Sequence, residues 1–391
     1  MAKKRNFKYW VGRLHLWFGL ASGLIVCFLG ITGCILAFER EISDATQPYR
    51  FVQVENKALL PPSVLKNVAN KALPNKHNPH SISYQPGKAT QAVYYNADPE
   101  YYWIVYLNPY SGEVLKVKDM DADFFRIVTM GHYYLWLPPA IGQPIVASAT
   151  LVFVLMLVSG LILWWPRSKA AAKQRFTLKL NAKWRRVNYD LHNVLGFYMA
   201  WVIIFIAFTG LVWGFQWFAQ SVYWVSSGGK QQVAFYEPKS DTTKITKHNN
   251  VDKIWYKMRA QLPGFIGSID VHIPENSKAS IEVAINPDTY TYWKTDYLYF
   301  DQYTLTEIPV KHIYGKLNKA GAADKLTRMN YDIHVGAIAG LPGKVIAFFA
   351  SLLAASMPVT GFVIWWGRGK KKHDKATRTP STDTKRMVLA N

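Results

Sequence analysis

Four long apolar runs punctuate the chain, at about Tyr9–Phe38, Ile141–Trp165, Leu191–Phe218 and Leu341–Trp366. Each exceeds the roughly 20 residues that an α-helix needs to cross a bilayer. The first is too long for a signal-peptide core and has no clear cleavage site, so it reads as a retained anchor. Trp164-Trp165 and Trp365-Trp366 close the second and fourth runs, with Arg167 and Arg368 close behind. Aromatic residues followed by a cation that can reach toward water mark the cytoplasmic interface. Between the runs the pattern changes to strand-like alternation, at Ala92–Tyr95, Tyr102–Leu107, Ser280–Ile285 and Tyr297–Phe300. The pattern predicts a membrane α-helical protein with a four-helix transmembrane bundle and two small α+β domains on one side of it.

The expected boundaries follow. Residues 1–39 hold a basic segment and the first transmembrane helix, and 40–128 the first α+β domain. The second helix occupies 129–166, a basic loop 167–186, and the third helix 187–218. The second α+β domain covers 219–328, the fourth helix 329–367, and a basic, polar, disordered tail 368–391.

Charge sharpens this picture. The 391 residues carry a net charge of +21, which by itself would suit a nucleic-acid binder. Nineteen of those charges lie in three pieces, 1–13, 167–186 and 367–391, all flanking apolar runs. This is the distribution of cytoplasmic loops, so both termini are expected in the cytoplasm. No reader motif accompanies the basic pieces, and nucleic acid is not an expected partner. Cys27 and Cys34 share one helix about 10 Å apart, too far to bridge, and read as packing residues. No C-x-x-C-H occurs, which excludes covalent c-type haem attachment.

The halves of the chain echo each other. Leu14-His15, Gly19 and Thr32-Gly33 in the first run match Leu191-His192, Gly196 and Thr209-Gly210 in the third, with 17 residues from His to Thr in both. Arg126 precedes His132 by six residues, and Arg328 precedes His334 by six. Two tandem parallel repeats related by a pseudo-two-fold axis along the membrane normal are expected. Such an axis sets His15 opposite His192 at one depth and His132 opposite His334 at another.

Opposed histidines on facing helices of a bundle are a recurrent way to hold haem, with both axial positions filled. Gly19 and Gly196 follow His15 and His192 by four residues on the same helix face, leaving room for a flat ring. Arg13 and Arg186 are candidates for the propionates of the inner haem, and Arg126 and Arg328 for those of the outer one. Asp190 and Asp332, each two residues before a histidine, read as helix caps. The remaining histidines, His77, His80, His248, His272, His312 and His373, read as surface or structural residues. The alternative for His77 and His80, or for His272, is an outer substrate site.

These residues carry a resemblance. Arg13–Gly19, Thr32-Gly33, Asp190–Asn193 and His334 with its glycine-rich follow-on resemble the PepSY-associated transmembrane family over about residues 8–368. Asn108–Leu115 looks like the closing turn of a PepSY domain, and Asp301–Ile308 is a fainter copy lacking the Asn-Pro and the glycine. The resemblance implies two PepSY-like periplasmic domains and a bacterial inner-membrane reductase with two b-type haems on His15, His192, His132 and His334. It further implies that iron held by siderophores is reduced in the periplasm.

On that basis the expected activity is a haem-dependent ferric-siderophore, or other ferric-chelate, reductase. Its electrons would pass from the inner haem to the outer one, on the order of 20 Å between irons. Reduction loosens a hard-oxygen chelate's hold on iron and releases Fe(II). No G-x-G-x-x-G opens a helix after a strand, so a separate donor is expected. An acidic flavoprotein or ferredoxin would suit the basic face, and membrane quinol is the other candidate. Two other classes stay open. One is a non-redox, membrane-anchored PepSY module that binds or inhibits a periplasmic protease. The other is a permease for the chelate, which the scarcity of polar residues in the spans disfavours.

Overall fold

The computed structural model describes residues 6–73, 78–97, 100–166, 168–244 and 250–376. His77, Arg167, His248, the side chains of Arg368 and His373, and the tail beyond 376 lie outside the described residues. Four helices are long and apolar enough to cross a membrane: Phe7–Ala37, Pro139–Trp164, Trp184–Gly214 and Ala337–Gly367. They coincide with the four apolar runs. A polar group in a bilayer must satisfy its own backbone, and only a helix does so within one segment.

The chain divides into two compact units. The first comprises Met1–Ile31, Ala149–Ile204 and Ala350–Asn391, and so contains helical stretches from all four spans. Small residues let these helices approach closely. A Cβ on Gly30 would lie 2.8 Å from both the backbone nitrogen and the Cβ of Ala355. The third span carries a π-helical turn at Leu191–Leu195, between the α-helical Trp184–Asp190 and Gly196–Gly214. Such an insertion turns one side chain out of the regular helical register.

The second unit comprises Thr32–Ser148 and Phe205–Phe349. It is built on a seven-stranded sheet: β1 (Ser81–Tyr84), β2 (Thr90–Ala97), β3 (Glu100–Leu107), β4 (Val114–Asp119), β5 (Ser268–His272), β6 (Ile281–Asn286) and β7 (Asp296–Phe300). All pairs are antiparallel, in the order β4-β3-β2-β1-β5-β6-β7. The four predicted strands are β2, β3, β6 and β7. The two α+β segments are not separate sheets, as the sequence suggested. Strand β1 of one pairs with β5 of the other, Ser81 opposite His272 and Tyr84 opposite Ile269. Either half alone would expose an unpaired strand edge, and joining them removes both edges. Helices Pro62–Ala72 and Asn250–Gln261 cover one face, where Leu65, Ile82, Tyr94, Val105, Ile254, Trp255 and Val271 form a common core.

The faint echo between Asn108–Leu115 and Asp301–Ile308 is a shared turn. The Asn108 side chain accepts from the amides of Tyr110 and Ser111, and Asp301 does the same for Tyr303 and Thr304. Gly112 takes a positive φ of 78°, and Leu305 takes 59° at the matching place. The second copy therefore keeps the turn without the glycine, at the cost of a left-handed leucine.

Ile273 donates its amide to the His80 carbonyl, which makes Ser83 and Asp270 a directly opposed, non-hydrogen-bonded pair. The double variant Ser83→Cys, Asp270→Cys should therefore oxidise to a disulfide joining the two segments, read as a linked pair of tryptic peptides. Two independent domains would give no such linked peptide.

Candidate functional site

All four repeat-related histidines are held in the same way. His15 Nδ1 lies 2.8 Å from Ser159 Oγ, and His192 Nδ1 lies 2.8 Å from Thr360 Oγ1. His132 Nδ1 lies 2.8 Å from Thr32 Oγ1, and His334 Nδ1 lies 2.9 Å from Thr209 Oγ1. The hydroxyl protons of Ser159, Thr360 and Thr209 are already directed to carbonyls of their own helices, Met156, Ser356 or Met357, and Phe205 or Ile206. Each of those oxygens can then only accept from its imidazole. His334 Nδ1 is also 3.0 Å from the Ile206 carbonyl, which accepts and cannot donate. In His15, His192 and His334 the proton therefore sits on Nδ1, and Nε2 keeps a free lone pair, the form in which histidine ligates a metal.

In the first unit, His15 and His192 line one cavity of about 380 Å³, within the size range of small-molecule sites. Its walls repeat position for position. Ser159 and Thr360 are each followed by a glycine that packs on the imidazole the hydroxyl holds. A Cβ on Gly160 would come within 3.4 Å of His15 Cε1, and one on Gly361 within 3.3 Å of His192 Cε1. Gly19 and Gly196 also line the cavity, where added Cβ atoms would meet Met156 at 3.0 Å and Met357 at 3.4 Å. His192 lies within the π-helical turn, which supports the role of that turn in aiming a functional side chain.

In the second unit, His132 ends the helix Phe124–Tyr134 and His334 ends the short helix Asn330–His334. Both helices stop before the long spans begin. The first break uses left-handed Leu135 and Trp136, and Gly131 leaves space for the Trp136 indole, which donates to the Ile127 carbonyl. The second uses Gly336, whose φ is +76° and whose added Cβ would strike the Gly343 carbonyl. The imidazole centroids of His132 and His334 are 6.2 Å apart with planes at 73°. Trp213 stands edge-on to His334, with centroids 5.2 Å apart.

Three of the four candidate arginines are engaged by other groups of the protein. Neither Arg13 nor Arg186 is among the cavity-lining residues; Arg186 is paired with buried Asp190, Nε to Oδ2 at 2.9 Å. The cation in the lining is Arg175, which donates to the carbonyls of Leu163 and Trp164, accompanied by Tyr189 and Asn193. Arg126 pairs with Glu100 at 3.4 Å, and buried Arg328 donates to the Gly315 carbonyl beside the Tyr297 ring. Among the described residues no hydrogen bond joins Arg126 or Arg328 to His132 or His334. Asp190 and Asp332 do not cap their helices. Asp332 is fully buried and accepts the backbone amides of Tyr292 and Trp293, tying the β6–β7 connection to the helix that carries His334.

The residues missed in the sequence had a signal. Thr32-Gly33, Ser159-Gly160, Thr209-Gly210 and Thr360-Gly361 place a hydroxyl–glycine pair in every apolar run, one for each histidine, with Ser22-Gly23 a further pair in the first run.

The two threonines of the second unit differ in backup. His334 has the Ile206 carbonyl as a second acceptor, whereas His132 Nδ1 is held through Thr32. Thr32→Val should cost about 1–3 kcal/mol, the penalty of a buried donor left unpaired. Thr209→Val should cost less, as measured by thermal unfolding in detergent. Equal losses would contradict the asymmetry.

No curated protein matches the chain in a comparison of sequences. The family profile for the PepSY-associated TM region matches residues 12–368, most of the chain and all four histidines with their hydroxyl partners. The match spans all four membrane helices and the sheet between them, and the chain belongs to the PepSY-associated TM region family.

Proposed function

We propose that the chain carries electrons across a bacterial inner membrane through two b-type haems and reduces ferric chelates, such as ferric siderophores, on the periplasmic side. The observation that carries this reading is the grouping of four imidazoles into two pairs, His15 with His192 on one cavity and His132 beside His334, each ring held by a hydroxyl at Nδ1. The spacing of the second pair supports it. An iron bound at about 2.0 Å, with about 1.15 Å from nitrogen to ring centre on each side, sets two axial imidazole centroids about 6.3 Å apart. His132 and His334 lie at 6.2 Å. At the first pair the glycine-lined walls suit a flat macrocycle, and Arg175, Tyr189 and Asn193 are the polar residues that would meet its propionates.

His15 with His192 and His132 with His334 would each hold a haem, which would supply one-electron chemistry suited to electron transfer. The protein's part is to keep the ligands neutral and oriented. Ser159, Thr360 and Thr209 fix the tautomer of their histidines, and Thr32 holds the His132 ring in place. At the periplasmic end the substrate is the ferric chelate, whose hold on iron weakens on reduction. The reading places both termini and the basic 167–186 loop in the cytoplasm, as the charge distribution favours. It also takes the matching contacts of the two halves as tandem repeats. The donor is a separate flavoprotein, ferredoxin or membrane quinol. The all-antiparallel order of the described sheet supports this, since nucleotide-binding α/β domains use parallel strands.

His15→Ala and His192→Ala should each remove about half of the bound haem with the fold retained, measured as pyridine haemochrome per chain. Full retention in both would refute the assignment. Dithionite-reduced wild type should be reoxidised by ferric hydroxamate or ferric citrate and left reduced by the gallium chelates. Failure with every ferric chelate would leave an electron carrier with a different acceptor.

A further inference from the structure

The seam where β1 meets β5 carries a second group of histidines, remote in sequence from the four above. His80 Nε2 and His272 Nδ1 lie 3.1 Å apart. The opposite nitrogen of each ring faces a carboxylate: His80 Nδ1 is 3.6 Å from Glu275 Oε1, and His272 Nε2 is 4.0 Å from Glu282 Oε1. Neither backbone is loose. The His80 amide donates to the Val93 carbonyl, the His80 carbonyl accepts from Ile273, and His272 is paired with Ser81 and Glu282 in the sheet.

A neutral imidazole has one N–H, and each outer carboxylate favours it on the outward nitrogen. With both outward nitrogens protonated, the two inward nitrogens would present lone pairs to each other, an arrangement that a cation between them relieves. The geometry agrees. Two nitrogens 3.1 Å apart, each about 2.05 Å from one ion, subtend about 98°, between the square-planar and tetrahedral angles. With about 1.15 Å from nitrogen to ring centre, such rings have centroids about 4.8 Å apart, whereas a head-to-head hydrogen bond of this length gives about 5.4 Å. The observed centroid separation is 4.7 Å, with planes at 82°.

We propose that His80 and His272 bind one divalent transition-metal ion of the Zn²⁺ or Cu²⁺ class across this seam, with Glu275 and Glu282 orienting the rings. Imidazole ligation selects such borderline cations over Ca²⁺ or Mg²⁺. Among the described residues no group of three or more His, Cys, Asp or Glu is placed to hold a metal ion together. The site thus supplies two protein ligands and leaves the other positions to water or an exogenous ligand. Access is open, since the His80 side chain is 42% exposed and that of Glu275 71%.

The test uses full-length, tag-free protein stripped with chelator, loaded with Zn²⁺ at pH 7.5, gel-filtered and assayed by mass spectrometry of the metal. The wild type should retain one Zn²⁺ more per chain than the His80→Ala, His272→Ala double variant, with circular dichroism unchanged. Glu275→Gln should weaken retention about tenfold in chelator competition. Cu²⁺-loaded wild type should show electron paramagnetic couplings from two imidazole nitrogens. Equal Zn²⁺ in wild type and double variant, or couplings from one nitrogen, would overturn the site. Because the wild-type Cu²⁺ spectrum needs no variant, misfolding of the double variant cannot mask the answer.

Discussion

Everything at the two histidine pairs depends on one contact made four times: an imidazole Nδ1 hydrogen-bonded to a Ser or Thr hydroxyl on a neighbouring helix. In an apolar bundle a hydroxyl has few partners. At Ser159, Thr209 and Thr360 its own proton goes back to the helix that bears it, so it can only receive from the ring. That single restriction fixes the tautomer, orients the ring and frees Nε2. An unheld imidazole in the same place would sample two tautomers and several rotamers. A ligand pair built from such rings would be loose by more than metal coordination tolerates.

The glycine after each hydroxyl residue is the steric counterpart. At Gly160 and Gly361 the imidazole edge occupies the volume a side chain would fill, so ring and helix backbone pack directly. The sheet-bearing unit serves the second pair differently. Asp332, with no exposure, spends its carboxylate on two amides of the β6–β7 connection and thereby anchors the short helix whose end is His334. A buried carboxylate so engaged is costly to remove, which makes it a positional constraint more than a source of net stability.

Much of this was legible in the sequence. The spans announced themselves by length and apolarity, and the four histidines by their equal spacing in two halves. Thr32 and Thr209 were visible as parts of the repeated motif, but their role was not. A hydroxyl in an apolar helix usually bonds back to its own backbone, and nothing local distinguishes one that also receives from a neighbour. For the same reason nothing in the sequence singled out Ser159 and Thr360. Arg175 was indistinguishable from the other cations of a basic loop, because its place in the cavity depends on how the chain folds back near Leu163. The union of the two half-sheets was hidden too. Strand alternation reveals a strand but not its partner, and β1 and β5 are joined only through long-range register. Leu305 concealed the second copy of the turn because a non-glycine residue stands where the left-handed conformation falls.

Paired, hydroxyl-held imidazoles make a definite spectroscopic demand. Purified protein should bind two haems per chain by pyridine haemochrome, and its ferric form should give only low-spin, bis-imidazole electron paramagnetic signals integrating to both irons. A colourless preparation that takes up no added haem, or a high-spin signal from iron with an open axial position, would contradict it.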